Sequence, residues 1–181
     1  MAPGRHDRDS VTTLALDLLD RVGLPDLSMR RLASELEVQP SALYWHFASK
    51  QELLAAVADR ILSRIPRPEP GTDVAAIAVG IRDALLAYRD GAEVVMSTYA
   101  LRLGARRAQD ALQTVIGDSA SADALFEFIL GHATLVQQRM HAQSIGATTD
   151  AAYDPTAELD AVFRAGIRAF ATLSAATDQR S

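Results

Sequence analysis

The sequence has 181 residues, of which 49% are hydrophobic, so it can form one or two domains with a substantial core and is not expected to be disordered. Its net charge is −5, which does not suggest nucleic-acid binding, and it lacks cysteine, which excludes disulfides, iron–sulfur clusters and cysteine zinc sites. No apolar run approaches the roughly 18 residues of a membrane span, and no secretion signal is visible at the N-terminus, so we expect a cytoplasmic protein with no membrane partner.

Helical periodicity recurs along the chain and strand signals are scarce, so the sequence predicts an all-α fold. Apolar residues at helical spacing mark a first helix over residues 11–22, which ends near Gly23 with a proline just beyond it. Ser28 can act as the N-cap of a second helix, whose apolar positions continue to residue 36.

The next segment predicts a tight turn followed by a short helix. Val38 and Gln39 form the turn, and Pro40 follows at a first helical position, where proline is tolerated. We expect this short helix to extend to Phe47. The run from Ser49 to Glu52 has the spacing of a capping box, which predicts that another helix begins here and continues to about residue 65.

Residues 66–71 contain three prolines and a glycine and mark the clearest boundary in the chain. The sequence therefore predicts an N-terminal helical domain over residues 1–65 and a C-terminal helical domain over residues 66–181. Helical spacing in the second domain predicts helices over residues 74–88, 92–103, 105–116, 121–144 and 156–175.

The segment over about residues 28–47 has the form of a helix-turn-helix, in which the second helix enters the DNA major groove. Leu43 and Phe47 are four residues apart and can pack inward, which leaves Tyr44 and Trp45 projecting outward. Exposed aromatic side chains are unusual unless a partner covers them. A buried aromatic cluster is the alternative, but a helix cannot bury four consecutive residues on one face, so the pattern favours DNA binding.

Two other classes of protein remain as alternatives. An enzyme would need a nucleophile–base pair, a metal cluster or a phosphate loop, and the sequence shows none, so no catalytic residue, metal site or cofactor is predicted. A helical ligand-binding or protein-interaction module without a DNA role is the second alternative. Such a module would not need exposed aromatic residues in a helix-turn-helix.

The sequences LSMRRLA at residues 27–33 and VQPSALYWHFASKQEL at residues 38–53 resemble the DNA-binding domain of the tetracycline-repressor (TetR) family. The Leu-Tyr-x-His-Phe-x-x-Lys-x-x-Leu run within them is highly specific to that family. The strong resemblance covers roughly residues 7–65, whereas the later matches at 88–92 and 131–135 are short and weak. The resemblance implies a transcriptional regulator with an N-terminal three-helix helix-turn-helix DNA-binding domain. By family habit it would be a repressor rather than an activator.

The resemblance also implies which residues contact a palindromic double-stranded DNA operator. Arg30 matches a base-contacting arginine, and Lys50 lies at or beside a phosphate-contacting position. The predicted DNA-binding residues are Ser28, Arg30, Arg31, Gln39, Pro40, Ser41, Tyr44, Trp45, His46 and Lys50. In tetracycline-responsive members a base-reading glutamine stands at the position of Pro40 and a phosphate-binding threonine at that of Met29, so we expect a different operator.

For the second domain the resemblance implies a homodimer that binds a small-molecule effector. The helices predicted at 121–144 and 156–175 would pack against their partner copies as a four-helix bundle. Both helices are also long and more apolar than one small domain needs, although ordinary core helices are the alternative.

The effector is expected to be apolar or aromatic and to bind between about residues 88 and 140. The candidate ligand-binding residues are Tyr88, Met96, Thr98, Tyr99, Arg102, His132 and Gln137, each of which could equally be a core or surface residue. His132 in particular could be a core histidine with one hydrogen bond. Val95 occupies the position of a metal-binding histidine in tetracycline-responsive members, so a magnesium–tetracycline site is not expected.

Overall fold

The computed structural model describes residues 6–69, 71–147 and 155–178, and within these ranges the regular secondary structure is helical throughout. The predicted all-α fold is therefore confirmed. No described helix is long and apolar enough to cross a membrane. The helices are α1 (Arg8–Val22), α2 (Met29–Glu35), α3 (Pro40–Tyr44), α4 (Lys50–Leu62), α5 (Val74–Leu86), α6 (Gly91–Ala100), α7 (Arg106–Ile116), α8 (Ser119–Ser144) and α9 (Pro155–Asp178).

We call the first four helices the head, and three of them, α1, α2 and α4, begin at side-chain caps that satisfy free N–H groups. Asp7 and Ser10 form a reciprocal capping box at the start of α1. The predicted N-cap at Ser28 is confirmed, because its hydroxyl oxygen accepts a hydrogen bond from the Arg31 amide. Pro40 is the first residue of α3, as its position in the sequence predicts.

Two local predictions for the head are wrong. The helix α3 ends at Tyr44 instead of Phe47, and both His46 and Phe47 donate their amides to the carbonyl of Leu43 in the turn that follows. The capping box predicted from Ser49 to Glu52 is only half formed. Ser49 accepts from the Glu52 amide, but the Glu52 carboxylate accepts from the amide of Ala48, 2.8 Å away, and not from that of Ser49.

A hydrophobic core runs continuously from the head into the helices α5–α9, which we call the body. In the head, α1 packs on α4 and α2 packs on α3. The helix α4 also contacts α5, α6 and α7, and in the body α8 is the central helix, packed against α5, α6, α7 and α9. The helix α4 therefore lies between the head and the body. The division of the chain near residue 65 stays a prediction.

Polar contacts also join the head to the body. The Leu24 amide donates to a carboxylate oxygen of Asp90 at 2.8 Å, and the Arg89 amide donates to Asp20 at 2.9 Å. The Arg107 guanidinium donates to the carbonyl of Ile65, just after α4. The turn between α5 and α6 thus lies directly against the turn that follows α1.

Gly91 makes the sharp turn between α5 and α6 possible. A Cβ atom at this position would lie 2.5 Å from the carbonyl oxygen of Leu85, which is far inside van der Waals contact. Only glycine fits there without moving the backbone. Because Gly91 follows the Arg89–Asp90 pair, it also fixes the position of the segment that contacts the head.

Candidate functional site

The short helix α3 and the turn after it pack one face against the rest of the head and expose the other face. Leu43 and Phe47 are buried in the core with 1% and 0% of their surface exposed. Tyr44 is 53% exposed and Trp45 is 90% exposed. The predicted orientation of these four residues is confirmed. An almost fully exposed tryptophan adds nothing to the core of the monomer, which indicates a surface that a partner covers.

The N-terminal end of α2 adds cationic groups to the head surface. Arg30 and Arg31 are exposed, and neither has an ion-pair partner among the residues that the structure describes. Gln39, the N-cap residue of α3, is exposed and its side chain makes no capping hydrogen bond. These side chains are available to an external ligand, because none of them forms an ion pair or a side-chain hydrogen bond within the described regions.

The predicted DNA-binding residues lie at the start of α2, in and around α3, and at the start of α4. Seven are exposed: Ser28, Arg30, Arg31, Gln39, Ser41, Tyr44 and Trp45. Three are half-buried: Pro40, His46 and Lys50. The helix α2 packs on α3, and the Glu52 carboxylate near the start of α4 accepts the Ala48 amide in the turn after α3, so the three groups lie in one unit. Their contact with DNA stays a prediction.

Arg8 contacts this unit, and sequence reasoning missed it. Its guanidinium donates to the backbone carbonyl of His46 and lies 2.9 Å from a carboxylate oxygen of Glu52. It also lies 4.2 Å from the centre of the Phe47 ring. The amide of Ala48 and the Arg8 guanidinium lower the pKa of Glu52. No local pattern signals these contacts, because they join residues about forty positions apart.

Two of the predicted effector residues have their polar groups bound within the fold. The Gln137 amide oxygen accepts from the Ala92 amide at 3.0 Å, and its nitrogen donates to the Tyr88 carbonyl at 2.7 Å. Thr98 is buried, and its hydroxyl contacts the carbonyls of Val94 and Val95. Both side chains satisfy backbone groups of the body, so a ligand that used them would have to replace these bonds.

Among the described residues, the candidate effector residues fall in separate places and not in one shared cleft. Tyr88 and Gln137 line a cleft with Leu86, Met140 and Ile145 at the C-terminal end of α8. Tyr99 and Arg102 line a different and more polar cleft with Gln109, Asp123 and Glu127. Met96, Thr98 and His132 line neither of these two clefts. Which residues contact an effector stays a prediction.

His132 packs among aromatic rings between α8 and α9. Its ring centre lies 4.7 Å from that of Phe163 and 6.3 Å from that of Phe128. Burial lowers the pKa of His132, as does the nearby Arg82 guanidinium, whereas Asp160 opposes the change. Within the described part of the chain, no group of three or more acidic or histidine side chains could hold a metal ion.

We expect the stability of the protein to fall as the pH decreases from 7 to 5.5. The folded state binds a proton at His132 less readily than the unfolded chain, whose histidine pKa is about 6.5. The stabilisation by neutral His132 is therefore complete above that pH and is lost below it. Melting temperature measured against pH should show a smaller slope for His132→Gln than for the wild type. Equal slopes for His132→Gln and the wild type would contradict the prediction.

Comparisons with known proteins agree with this geometry. The family model described as "Bacterial regulatory proteins, tetR family" matches residues 11–57, which include α2, α3 and the start of α4. The class A tetracycline repressor from transposon 1721 of Escherichia coli is 42% identical over 99 residues, which are 50% of this chain. That match covers 45% of the repressor, so the shared region spans less than half the length of this relative.

Solved structures match nearly the whole chain. BioQ of Mycobacterium smegmatis is 33% identical, with a TM-score of 0.80 over 95% of this chain and 99% of that one. A structure of BioQ with its natural double-stranded DNA operator matches at 31% identity and a TM-score of 0.74, over the same fractions of the two chains. A possible TetR family transcriptional regulator from Streptomyces coelicolor is 30% identical, with a TM-score of 0.75 over 94% of this chain and 100% of that one.

Proposed function

This chain belongs to the TetR family of bacterial regulatory proteins, and from that premise we propose that it is a sequence-specific DNA-binding transcriptional repressor. It binds a palindromic duplex operator as a homodimer, and a small molecule releases it. The family consists of transcriptional regulators, and the match to BioQ, which has been solved with its operator DNA, supports a DNA role. A repressor of this kind acts in the cytoplasm, where bacterial DNA is located.

The observation that carries the proposal is the exposure of α3. Trp45 directly follows α3 and is 90% exposed, whereas Phe47, two residues later, is buried in the core. We propose that α3 enters the major groove, where Tyr44 and the small Ser41 meet the bases. Arg30 and Lys50 lie on either side of α3 in the sequence and would contact bases or phosphates. The predicted DNA-binding set as a whole is proposed as the operator interface.

Equilibrium binding to duplex DNA at increasing salt concentrations tests this function. Neutralisation of phosphates by lysine and arginine releases counterions, so the affinity should fall steeply with salt despite the net charge of −5. Absence of binding to any duplex at low salt would contradict the proposal. Salt-independent binding would equally argue against a phosphate-contacting head.

Exposed apolar surface on the last two helices supports the proposed homodimer. Leu135 on α8 is 40% exposed and Val162 on α9 is 51% exposed, and the exposed Gly131 lies one turn before Leu135. Small and apolar side chains of this kind allow helices of two copies to approach closely. Two heads related by two-fold symmetry would then read half-sites about 34–36 Å apart, one turn of DNA.

We expect Leu135→Glu to convert the dimer into a monomer, because two like charges would be buried at the interface of the two copies. Sedimentation velocity at micromolar concentration should show a dimer for the wild type and a monomer for the variant. The operator affinity of the variant should also decrease, because a monomer has one head and cannot contact both half-sites. Val79→Glu on α5 is the matched control, since Val79 is 38% exposed and should tolerate the charge. A wild type that sediments as a monomer would contradict the proposed dimer.

We propose that the effector binds in the body and changes how the body holds the head. The cleft lined by Tyr88 and Gln137 suits an apolar or aromatic ligand that also carries polar groups, because Leu86, Met140 and Ile145 line it together with Asp20, Arg89 and Asp90. The adjacent Arg89–Asp90 segment contacts the head, so a ligand there can act on both units. The ligand must bind the conformation without DNA more tightly, since equal affinity for both conformations shifts nothing.

A compound screen by thermal shift, followed by operator release, tests this part of the proposal. Compounds that stabilise the protein and dissociate the operator support an effector site. Replacing residues that line the cleft with larger side chains should abolish both effects. If every stabilising compound leaves operator affinity unchanged, the proposed switch is wrong.

A further inference from the structure

The helix α3 is held in place by its packing on α2 and by two buried side chains, Leu43 within it and Phe47 in the turn that follows. It contains 5 residues, and its N-cap, Gln39, makes no side-chain capping bond. Leu43 and Phe47 fix one side of the segment in the core. Short helices are only marginally stable without such external contacts. The orientation of α3 therefore depends on what holds the turn immediately after it.

Arg8 makes three contacts with that turn and with the start of the next helix. Its Nη1 atom donates to the carbonyl oxygen of His46, just beyond the end of α3, and lies 2.9 Å from Glu52 Oε1. Its guanidinium lies over the Phe47 ring, with the Cζ atom 4.2 Å from the ring centre. A planar guanidinium can stack on a ring and donate in its own plane at the same time, whereas an ammonium cannot.

Glu52 completes the arrangement from the opposite side. Its Oε2 atom accepts the amide of Ala48 at 2.8 Å, while its Oε1 atom faces Arg8. The carboxylate thus connects the backbone after Phe47 to the guanidinium that holds His46. The start of α1, the turn after α3 and the start of α4 are joined through these two side chains.

We propose that Arg8 is a positioning residue that sets the orientation of α3 for DNA, acting through His46, Phe47 and Glu52 and not by contacting DNA itself. This inference rests on the proposed DNA-binding function. Because the nearby carboxylate of Glu52 neutralises its charge, Arg8 is poorly placed to neutralise a phosphate as well. A direct phosphate contact by Arg8 is the competing possibility, and its consequences can be measured separately.

Arg8→Lys separates the two possibilities, because it keeps the positive charge and removes the stacking and the planar hydrogen bonding. We expect the variant to bind the operator about five- to tenfold more weakly, within the range of coupling between contacting residues. The slope of log affinity against log salt should stay unchanged. Glu52→Gln should cause a similar loss of operator affinity. The double variant should lose less affinity than the product of the two single fold-losses, because both substitutions disrupt the same contact. If Arg8→Lys binds like the wild type, or if Arg8→Ala lowers the salt slope by about one unit, the proposal is wrong.

Arg21→Lys is the matched control, since Arg21 also lies on α1 and forms an exposed ion pair, with Glu35 at 3.2 Å, but has no described contact with the turn after α3. It should bind the operator like the wild type. All variants are compared below their melting transitions, so that unfolded protein does not contribute.

Trp45 gives a second readout that needs no DNA. It is the single tryptophan of the chain and adjoins His46, whose carbonyl Arg8 holds. Time-resolved fluorescence anisotropy should show a larger fast component for Arg8→Lys than for the wild type or Arg21→Lys, because the end of α3 moves more freely. Unchanged anisotropy would contradict positioning even if the operator is never found. A wild type that binds no DNA would instead contradict the proposed function alone.

Discussion

Trp45→Ala should weaken operator binding by about 30-fold or more, which corresponds to the loss of roughly 2 kcal/mol typical of a buried aromatic anchor at an interface. The same substitution should change the free energy of unfolding by less than about 0.5 kcal/mol, because the side chain is 90% exposed in the free protein. Fluorescence anisotropy of a labelled operator duplex and urea denaturation measure the two quantities.

Leu101→Ala is the control for this experiment. Leu101 is another exposed apolar residue, 55% accessible, but it lies after α6 in the body. It should leave both operator affinity and stability close to those of the wild type. If Trp45→Ala binds the operator with an affinity within twofold of the wild type, Trp45 does not contact DNA.

Phe47→Ala, unlike Trp45→Ala, should strongly destabilise the folded protein. Phe47 is fully buried, and removal of a buried aromatic ring costs about 3–5 kcal/mol because it leaves a cavity in the core. For a chain of this length that corresponds to a decrease in melting temperature of roughly 6–20 °C. Differential scanning calorimetry measures it.

Phe47→Leu is the conservative comparison, since it keeps an apolar side chain in the core and should recover a large part of the stability. Operator affinity of Phe47→Ala, measured where the protein is still folded, should also fall, because Phe47 fixes the end of α3 and contacts Arg8. A wild-type melting temperature for Phe47→Ala would contradict the proposed anchoring. Trp45 and Phe47 are two positions apart, so their different effects on stability would reflect the exposure of one side chain and the burial of the other.

The elements of the head could be predicted from the sequence because their signals are local. Ser28 and Pro40 mark the starts of α2 and α3 through capping and backbone geometry, which involve only neighbouring residues. The inward direction of Leu43 and Phe47 follows from their spacing, although α3 itself ends before Phe47. Helix starts and side-chain directions that depend on a few consecutive residues could therefore be predicted from the sequence.

The contacts of Glu52 could not be predicted in the same way. Its position three residues after Ser49 favours a capping box, but Arg8 and the Ala48 amide compete for the carboxylate. The competing guanidinium comes from the start of α1, so only the folded head reveals it. Arg8 was missed for the same reason, since an isolated arginine at the start of a helix carries no signal of a distant partner.

The effector residues show a similar limit in the body. Helical spacing identifies Thr98 and Gln137 as polar residues among apolar ones. It does not show that both side chains form hydrogen bonds with backbone groups of the fold. Periodicity also does not distinguish a residue that faces the core from one that faces a second copy. Leu135 follows the apolar spacing of α8 and yet is 40% exposed, which is why we assign it to the dimer interface.

Selection of bound sequences from random duplex DNA tests the central claim most directly. Incubation of the wild-type protein with a random duplex pool, followed by sequencing of the retained DNA, should recover a palindrome whose half-sites lie about one helical turn apart. Trp45→Ala, carried through the same selection, should recover that palindrome weakly or not at all. Recovery of no common sequence by the wild type, or of a single half-site without symmetry, would contradict a dimeric, sequence-specific DNA-binding regulator.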